Sequence, residues 1–164
     1  MMFRDRLAFL SNFFPCVIES NTGIKFPSVE NAYQWAKEVD PDNREFVPTK
    51  GWERYDAVPV KWTEYMTNCS AGDAKSAGRR ANMRPNWNEI KVEVMRRLLK
   101  QKFQPGTNLG DRLRATRNMI LVEGNTWHDN FWGSCTCPRC GDKGENMLGK
   151  LLMERRAELR KEDK

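Results

Sequence analysis

The sequence predicts a mainly α-helical fold with one small β-hairpin, and three observations predict it. Apolar residues recur at helical spacing over residues 28–39, 86–103 and 145–160. A tight Asn21-Thr22-Gly23 step separates two short runs, CVIES and IKF, which reads as a hairpin. Strands and helices do not alternate, and no glycine-rich phosphate fingerprint follows a strand, which argues against a doubly wound nucleotide fold. The length of 164 residues suits a single domain, 1–164, able to bury its own core.

Residues 3–15 carry Phe3, Leu7, Phe9, Leu10, Phe13 and Phe14 and read as a short extended segment around the polar step Ser11-Asn12. Such a step lays an amide against a ligand or merely turns the chain. After the hairpin, FPSVENAYQWAK opens a helix. Ser28 is its cap, and Glu30 suits the positive end of the helix dipole. Val29, Ala32, Tyr33 and Ala36 form the apolar stripe. Glu30, Gln34 and Lys37 fall at steps of four and three, so an acid, an amide and an amine share one row. A solvated face with an ion pair is the plain alternative. The apolar FLSNFFPC before the helix argues instead for a start that is packed over.

Asp40-Pro41 ends this helix, and Pro48 and Pro59 interrupt the next stretch of chain. Residues 40–69 therefore read as a surface insertion or lid, with a helical turn or two in VKWTEYM. Ser70 caps a short helix with Asp73 as its box partner, ending near Gly78. Lys75, Arg79 and Arg80 form a basic cluster that suits phosphate, against the alternative of solvated charge. The helix 86–103 turns Ile90, Val94, Met95, Leu98, Leu99 and Phe103 to one side and stops at Pro105-Gly106. Asn108 caps a further short helix, and Met119 to Val122 reads as a strand. Residues 124–144 form a loop rich in Gly, Trp and Cys. The last helix, 145–160, points Met147, Leu148, Leu151, Leu152 and Leu159 inward.

Net charge of +6 suits anionic partners such as phosphates, nucleotides or nucleic acid, or simply a basic protein. Six Trp offer broad faces for stacking on bases. Met1 to Leu10 lacks a signal-peptide pattern and no run is long enough to span a membrane, so the expectation is an intracellular, cytoplasmic protein. Five Cys, three of them at Cys135, Cys137 and Cys140, suggest a metal or free thiols in a reducing compartment. His128, the single histidine, stands seven positions before Cys135. One His and three Cys match the ligand set of a structural zinc site, with free thiols as the alternative.

Four stretches, in order, resemble the YbiA-like, or NADAR, domain: FLSNFFPC at 9–16, FPSVENAYQWAK at 26–37, AKSAGRRANMRPNWNEIKVEVM at 74–95, and WHDNFWG with GENMLGKLLMERRAELR within 127–160. The segment 40–69 looks longer than usual for that family, and the CxCxxC run departs from its shorter Gly-rich loop. The resemblance implies a mainly α-helical fold and a metal-free N-glycosidase, which hydrolyses the bond between a ribose and a base-like amine. The implied substrate classes are early phosphorylated riboflavin-pathway intermediates and ADP-ribose attached to guanine in nucleic acid, with no membrane partner.

On that reading Glu30 stabilises the oxocarbenium-like ribose. Lys37 either binds phosphate or forms an imine with the opened sugar. Asn12 and Gln34 hold ribose hydroxyls. Trp87, Trp127 and Trp132 are stacking candidates, and Arg79 and Arg80 take phosphate. Asp129 and then Glu145 are the rival carboxylates. No cofactor enters the chemistry. The competing readings are a non-catalytic ADP-ribose or nucleic-acid binding module, and a zinc-stapled interaction domain.

Overall fold

A computed structural model of the chain describes residues 3, 5–48, 58–141 and 143–162. The expected class holds: helices dominate, joined by two-residue strand pairs. The chain divides into two compact units, Asn12–Gln101 and Met1–Ser11 with Lys102–Lys164.

In the unit Asn12–Gln101, β1 (Ile18–Glu19) and β2 (Lys25–Phe26) form the antiparallel hairpin, with Ile18 opposite Phe26. Gly23 turns it at φ +83°, a left-handed value that glycine adopts without a Cβ penalty. Helix α1 runs Val29–Lys37, and the Ser28 hydroxyl accepts the Asn31 N–H at 3.1 Å. β3 (Glu45–Phe46) pairs antiparallel with β4 (Val60–Lys61), which leads into α2 (Trp62–Asn68). The lid reading of 40–69 is corrected at its end. Trp62 and Met66 are fully buried, and Phe46 packs its ring against both Trp62 and Tyr65 at 5.0 Å. Three aromatics in edge contact make this part core, which the prolines around it obscure. Residues 49–57 lie outside the described residues.

Asn31, with no exposed surface, ties α1 to α2: its Nδ2 donates to the carbonyls of Met66 and Cys69, each at 2.9 Å. Asn31→Ala would strip donors from two buried carbonyls, at about 1–3 kcal/mol for each left unsatisfied. Urea titration should show a clear drop in midpoint. An unchanged midpoint would mean that the helix pair does not depend on this amide.

Helix α3 (Ala71–Gly78) starts as expected, with the Ser70 hydroxyl accepting the Asp73 N–H at 3.1 Å and donating to its carboxylate at 2.6 Å. Helix α4 (Trp87–Lys102) buries Trp87, Met95 and Leu99.

In the other unit, Asp5–Leu10 is a 3-10 helix rather than the extended segment expected. Phe9 and Leu10 are buried, and Phe9 meets Phe103 edge-on at 6.3 Å. Helix α5 (Asn108–Ala115) is capped one residue earlier than expected, by Thr107, whose hydroxyl accepts the Gly110 N–H at 3.1 Å. Helix α6 (Met147–Glu162) buries Leu148, Leu151, Leu152 and Leu159. The strand expected over Met119 to Val122 is absent. Instead the Asn146 amide donates to the Leu121 carbonyl at 2.8 Å and accepts the Glu123 N–H at 2.9 Å. One side chain thus takes the place of a neighbouring strand. Pairing begins just after, where β5 (Gly124–Asn125) runs parallel to β6 (Ser134–Cys135).

Among the described residues, no helix is long and apolar enough to cross a membrane.

Candidate functional site

The first turn of α1 is buried on every side, and this sets the site. Val29, Asn31 and Ala32 are core, yet Glu30 and Gln34 are also only 7% and 8% exposed. A carboxylate is rarely taken so far from water without compensation. Gln34 Nε2 donates to Glu30 Oε1 at 2.8 Å, and the Glu30 N–H donates to the Asn12 carbonyl at 3.1 Å. The helix therefore meets Asn12 directly, and Asn12 is itself 9% exposed. The side-chain oxygens of Asn12 and Gln34 are buried and accept no hydrogen bond among the described residues. Two unused acceptors beside a buried carboxylate are costly in an apolar setting and suit a ligand that brings hydroxyl donors.

Lys37, half-buried one turn on, donates from Nζ to the Gly78 carbonyl at 2.8 Å. Burial lowers the pKa of its ammonium below the ordinary lysine value, and the negative charge of Glu30 partly offsets that. Gly78 is what lets α3 come so near: a methyl there would run into the Gln34 amide. Absence of a side chain at Gly78 and presence of the Gln34 amide are thus one feature. The predicted row of Glu30, Gln34 and Lys37 is assembled, with Asn12 added by the fold.

The other predicted residues of this unit fall elsewhere. Trp87 is 3% exposed with its ring 5.0 Å from Tyr33, so it has no open face for a base. It drops out as a stacking candidate, and Tyr33 of the apolar stripe is the reason. Arg79 and Arg80 are exposed at the end of α3, with the Arg80 guanidinium 5.4 Å from the Phe46 ring centre. One buried carboxylate escaped the sequence reading. Glu38 accepts the Asn82 N–H at 2.8 Å and pairs with Arg44 at 3.5 Å. It brackets the end of α1, and its only local signal is its place after Lys37.

In the other unit, the loop after β5 is held by amide side chains. Asn125, fully buried, accepts the N–H groups of Trp127 and Asp129 and donates to the Asp129 carbonyl at 2.7 Å. Asp129 Oδ1 accepts the N–H groups of Phe131 and Trp132 at 3.2 and 2.9 Å. The carboxylate is thereby engaged in shaping its own turn. Trp127 is 53% exposed, while Trp132 is half-buried against Phe131. Glu145, the last of the rival carboxylates, donates its N–H to the Asn130 carbonyl at 2.7 Å and lies just before α6. His128, Cys135, Cys137 and Cys140 converge: their ligand atoms all lie within 4.8 Å of one another, a group able to hold a metal ion.

Comparison with known proteins bears on this arrangement. A riboflavin biosynthesis protein of maize, PYRR, is 32% identical over 94% of this chain, and the chain spans 24% of that protein's length. A riboflavin biosynthesis protein of Vibrio vulnificus is 34% identical over 92% of the chain, which spans 35% of that protein. The N-glycosidase YbiA of Shigella flexneri serotype 5b is 32% identical over 88% of this chain and 76% of its own. The NMR structure of the E. coli protein YbiA superposes with a TM-score of 0.74 at 30% identity, covering 99% of this chain and 84% of that one. The NADAR domain model matches residues 2–160, and on that match the chain belongs to the NADAR domain family.

Proposed function

We propose that the protein is an N-glycosidase that hydrolyses the bond between ribose C1 and a base-like amine. The observation that carries this reading is the buried Glu30, aligned by Gln34, next to two unused amide oxygens. Breaking a C1–N bond leaves positive charge on the ribose ring. A carboxylate fixed in a dry site opposes that charge without having to reorganise. The oxygens of Asn12 and Gln34 accept ribose hydroxyls and set the sugar over Glu30. Lys37 supplies an amine with a lowered pKa and hence a larger neutral fraction near pH 7. As a nucleophile its nitrogen bonds to C1 while the C1–N bond to the base breaks. The ring then opens at C1–O4, with the proton from the lysine nitrogen passing to O4, to leave an imine. The base leaves with a proton, and water then hydrolyses the resulting imine to free sugar and amine. As a cation it holds a phosphate instead. No cofactor enters either route.

The substrate is a phosphorylated ribosylamine of the riboflavin type, or an ADP-ribosyl group on a base in nucleic acid. The names of the maize and Vibrio relatives favour the first. The exposed Arg79 and Arg80 and the net charge of +6 suit the phosphates of either. Asp129, with Trp127 and Trp132 near it in sequence, belongs to the other unit and is the alternative carboxylate to Glu30.

The test is incubation with a ribosylamine phosphate, NAD and ADP-ribosylated DNA, with mass spectrometry of the products. Release of sugar phosphate or ADP-ribose supports the reading. Binding of these compounds with none of them cleaved would favour the non-catalytic binding module.

A further inference from the structure

We propose that His128, Cys135, Cys137 and Cys140 form a closed structural zinc site that clamps the loop between β5 and α6. The site is distinct from the ribose chemistry assigned to α1 and goes beyond it. His128 Nδ1 lies 3.3 Å from Cys140 Sγ, 3.4 Å from Cys137 Sγ and 3.8 Å from Cys135 Sγ. A tetrahedral zinc ion, with metal–sulfur ~2.3 Å and metal–nitrogen ~2.0–2.1 Å, sets nitrogen and sulfur about 3.5 Å apart. The three observed separations bracket that value. Hydrogen bonding does not account for them, because one imidazole nitrogen carries either a single lone pair or a single N–H and serves one thiol well. A cation at the centre satisfies the four ligand atoms at once. With Nδ1 on the metal, Nε2 carries the ring proton, so the Arg139 guanidinium, 2.7 Å from Nε2, turns aside when the ion binds.

The backbone is shaped for this convergence. Cys137-Pro-Arg-Cys-Gly141 folds into a tight turn, with the N–H groups of Cys140 and Gly141 both reaching the Cys137 carbonyl at 3.0 Å. Gly141 has φ +59°, the left-handed value that glycine tolerates best. His128 also sits at φ +66°, which for a residue with a side chain costs energy and needs a reason. Bringing its ring to the sulfurs is that reason. Cys135 is held from the other side by β6, its N–H donating to Asn130 Oδ1 at 3.0 Å. The same Asn130 donates from Nδ2 to Cys140 Sγ at 3.2 Å, so a neutral amide supports a sulfur as it would a thiolate. The donor set, one imidazole and three thiolates, selects zinc over magnesium or calcium. All four positions are filled by protein, so no place is left for a reactive water and the role is structural.

The full chain, purified without chelator, should carry about one equivalent of zinc by elemental analysis, as a four-ligand site holds one ion. Cys137→Ser and Cys140→Ser should each lose most of it, whereas Cys16→Ser, which alters a cysteine outside the cluster, should keep it. Replacement by cobalt gives a second readout that does not depend on a variant folding. Intense visible bands of tetrahedral cobalt, with thiolate charge transfer in the ultraviolet, support the site. The weak spectrum of six-coordinate cobalt would overturn it. So would wild-type protein that carries no metal and takes up none. On removal of the ion, amide exchange should rise over residues 126–141 and stay low in α6. Exchange unaffected in the loop would contradict the clamp.

Discussion

Glu30→Gln is expected to slow the chemical step by roughly 10²-fold or more, the scale for losing one preorganised electrostatic partner. The substitution keeps size and shape. The new amide still offers an oxygen to Gln34 Nε2, which donates to Glu30 at 2.8 Å. What disappears is the negative charge, at a position 7% exposed where charge is poorly screened by water. That charge matters most when the ribose becomes cationic and little in the ground state, so kcat should fall while KM moves little. Single-turnover kinetics on the cleaved substrate make the comparison. Near-normal turnover would remove α1 as the catalytic element and pass the role to Asp129, whose own oxygen is occupied by two backbone N–H groups.

Lys37→Met is expected to abolish turnover if the amine forms an imine, and to weaken binding more than turnover if it only grips phosphate. The two roles also differ in pH dependence. Burial lowers the Lys37 pKa below its ordinary 10.5, so the amine loses its proton at lower pH than a free lysine would. A nucleophile must be neutral, so kcat should rise with pH and level off once pH passes that lowered value. A phosphate grip needs the cation, so affinity should fall over the same interval. Glu30 opposes the shift, and Glu30→Gln should therefore move either limb to lower pH. Borohydride should trap a sugar adduct on the wild type and none on Lys37→Met. Failure to trap, with wild-type turnover intact, excludes the imine.

Much of this site was legible before the fold. Ser28 and Ser70 cap their helices through N–H groups three residues on, and Glu30, Gln34 and Lys37 share a row because an α-helix repeats every 3.6 residues. The His128 and cysteine group was legible as a candidate metal set, with free thiols as the alternative, and the fold brings its four ligand atoms within 4.8 Å of one another. These are local relations, and neighbours in sequence determine them. Whether a residue is core or site is decided by partners far along the chain. Trp87 reads as a stacking face until Tyr33, more than fifty positions away, covers it. Residues 60–69 read as surface because of the prolines before them, yet Phe46 and the Asn31 amide draw them inward. Met119 to Val122 is apolar enough for a strand, but the Asn146 side chain supplies the hydrogen bonds first. The same holds for the site itself. Periodicity set Glu30 on the helix, and only the approach of the Asn12 backbone and of Gly78 left that carboxylate buried and aligned.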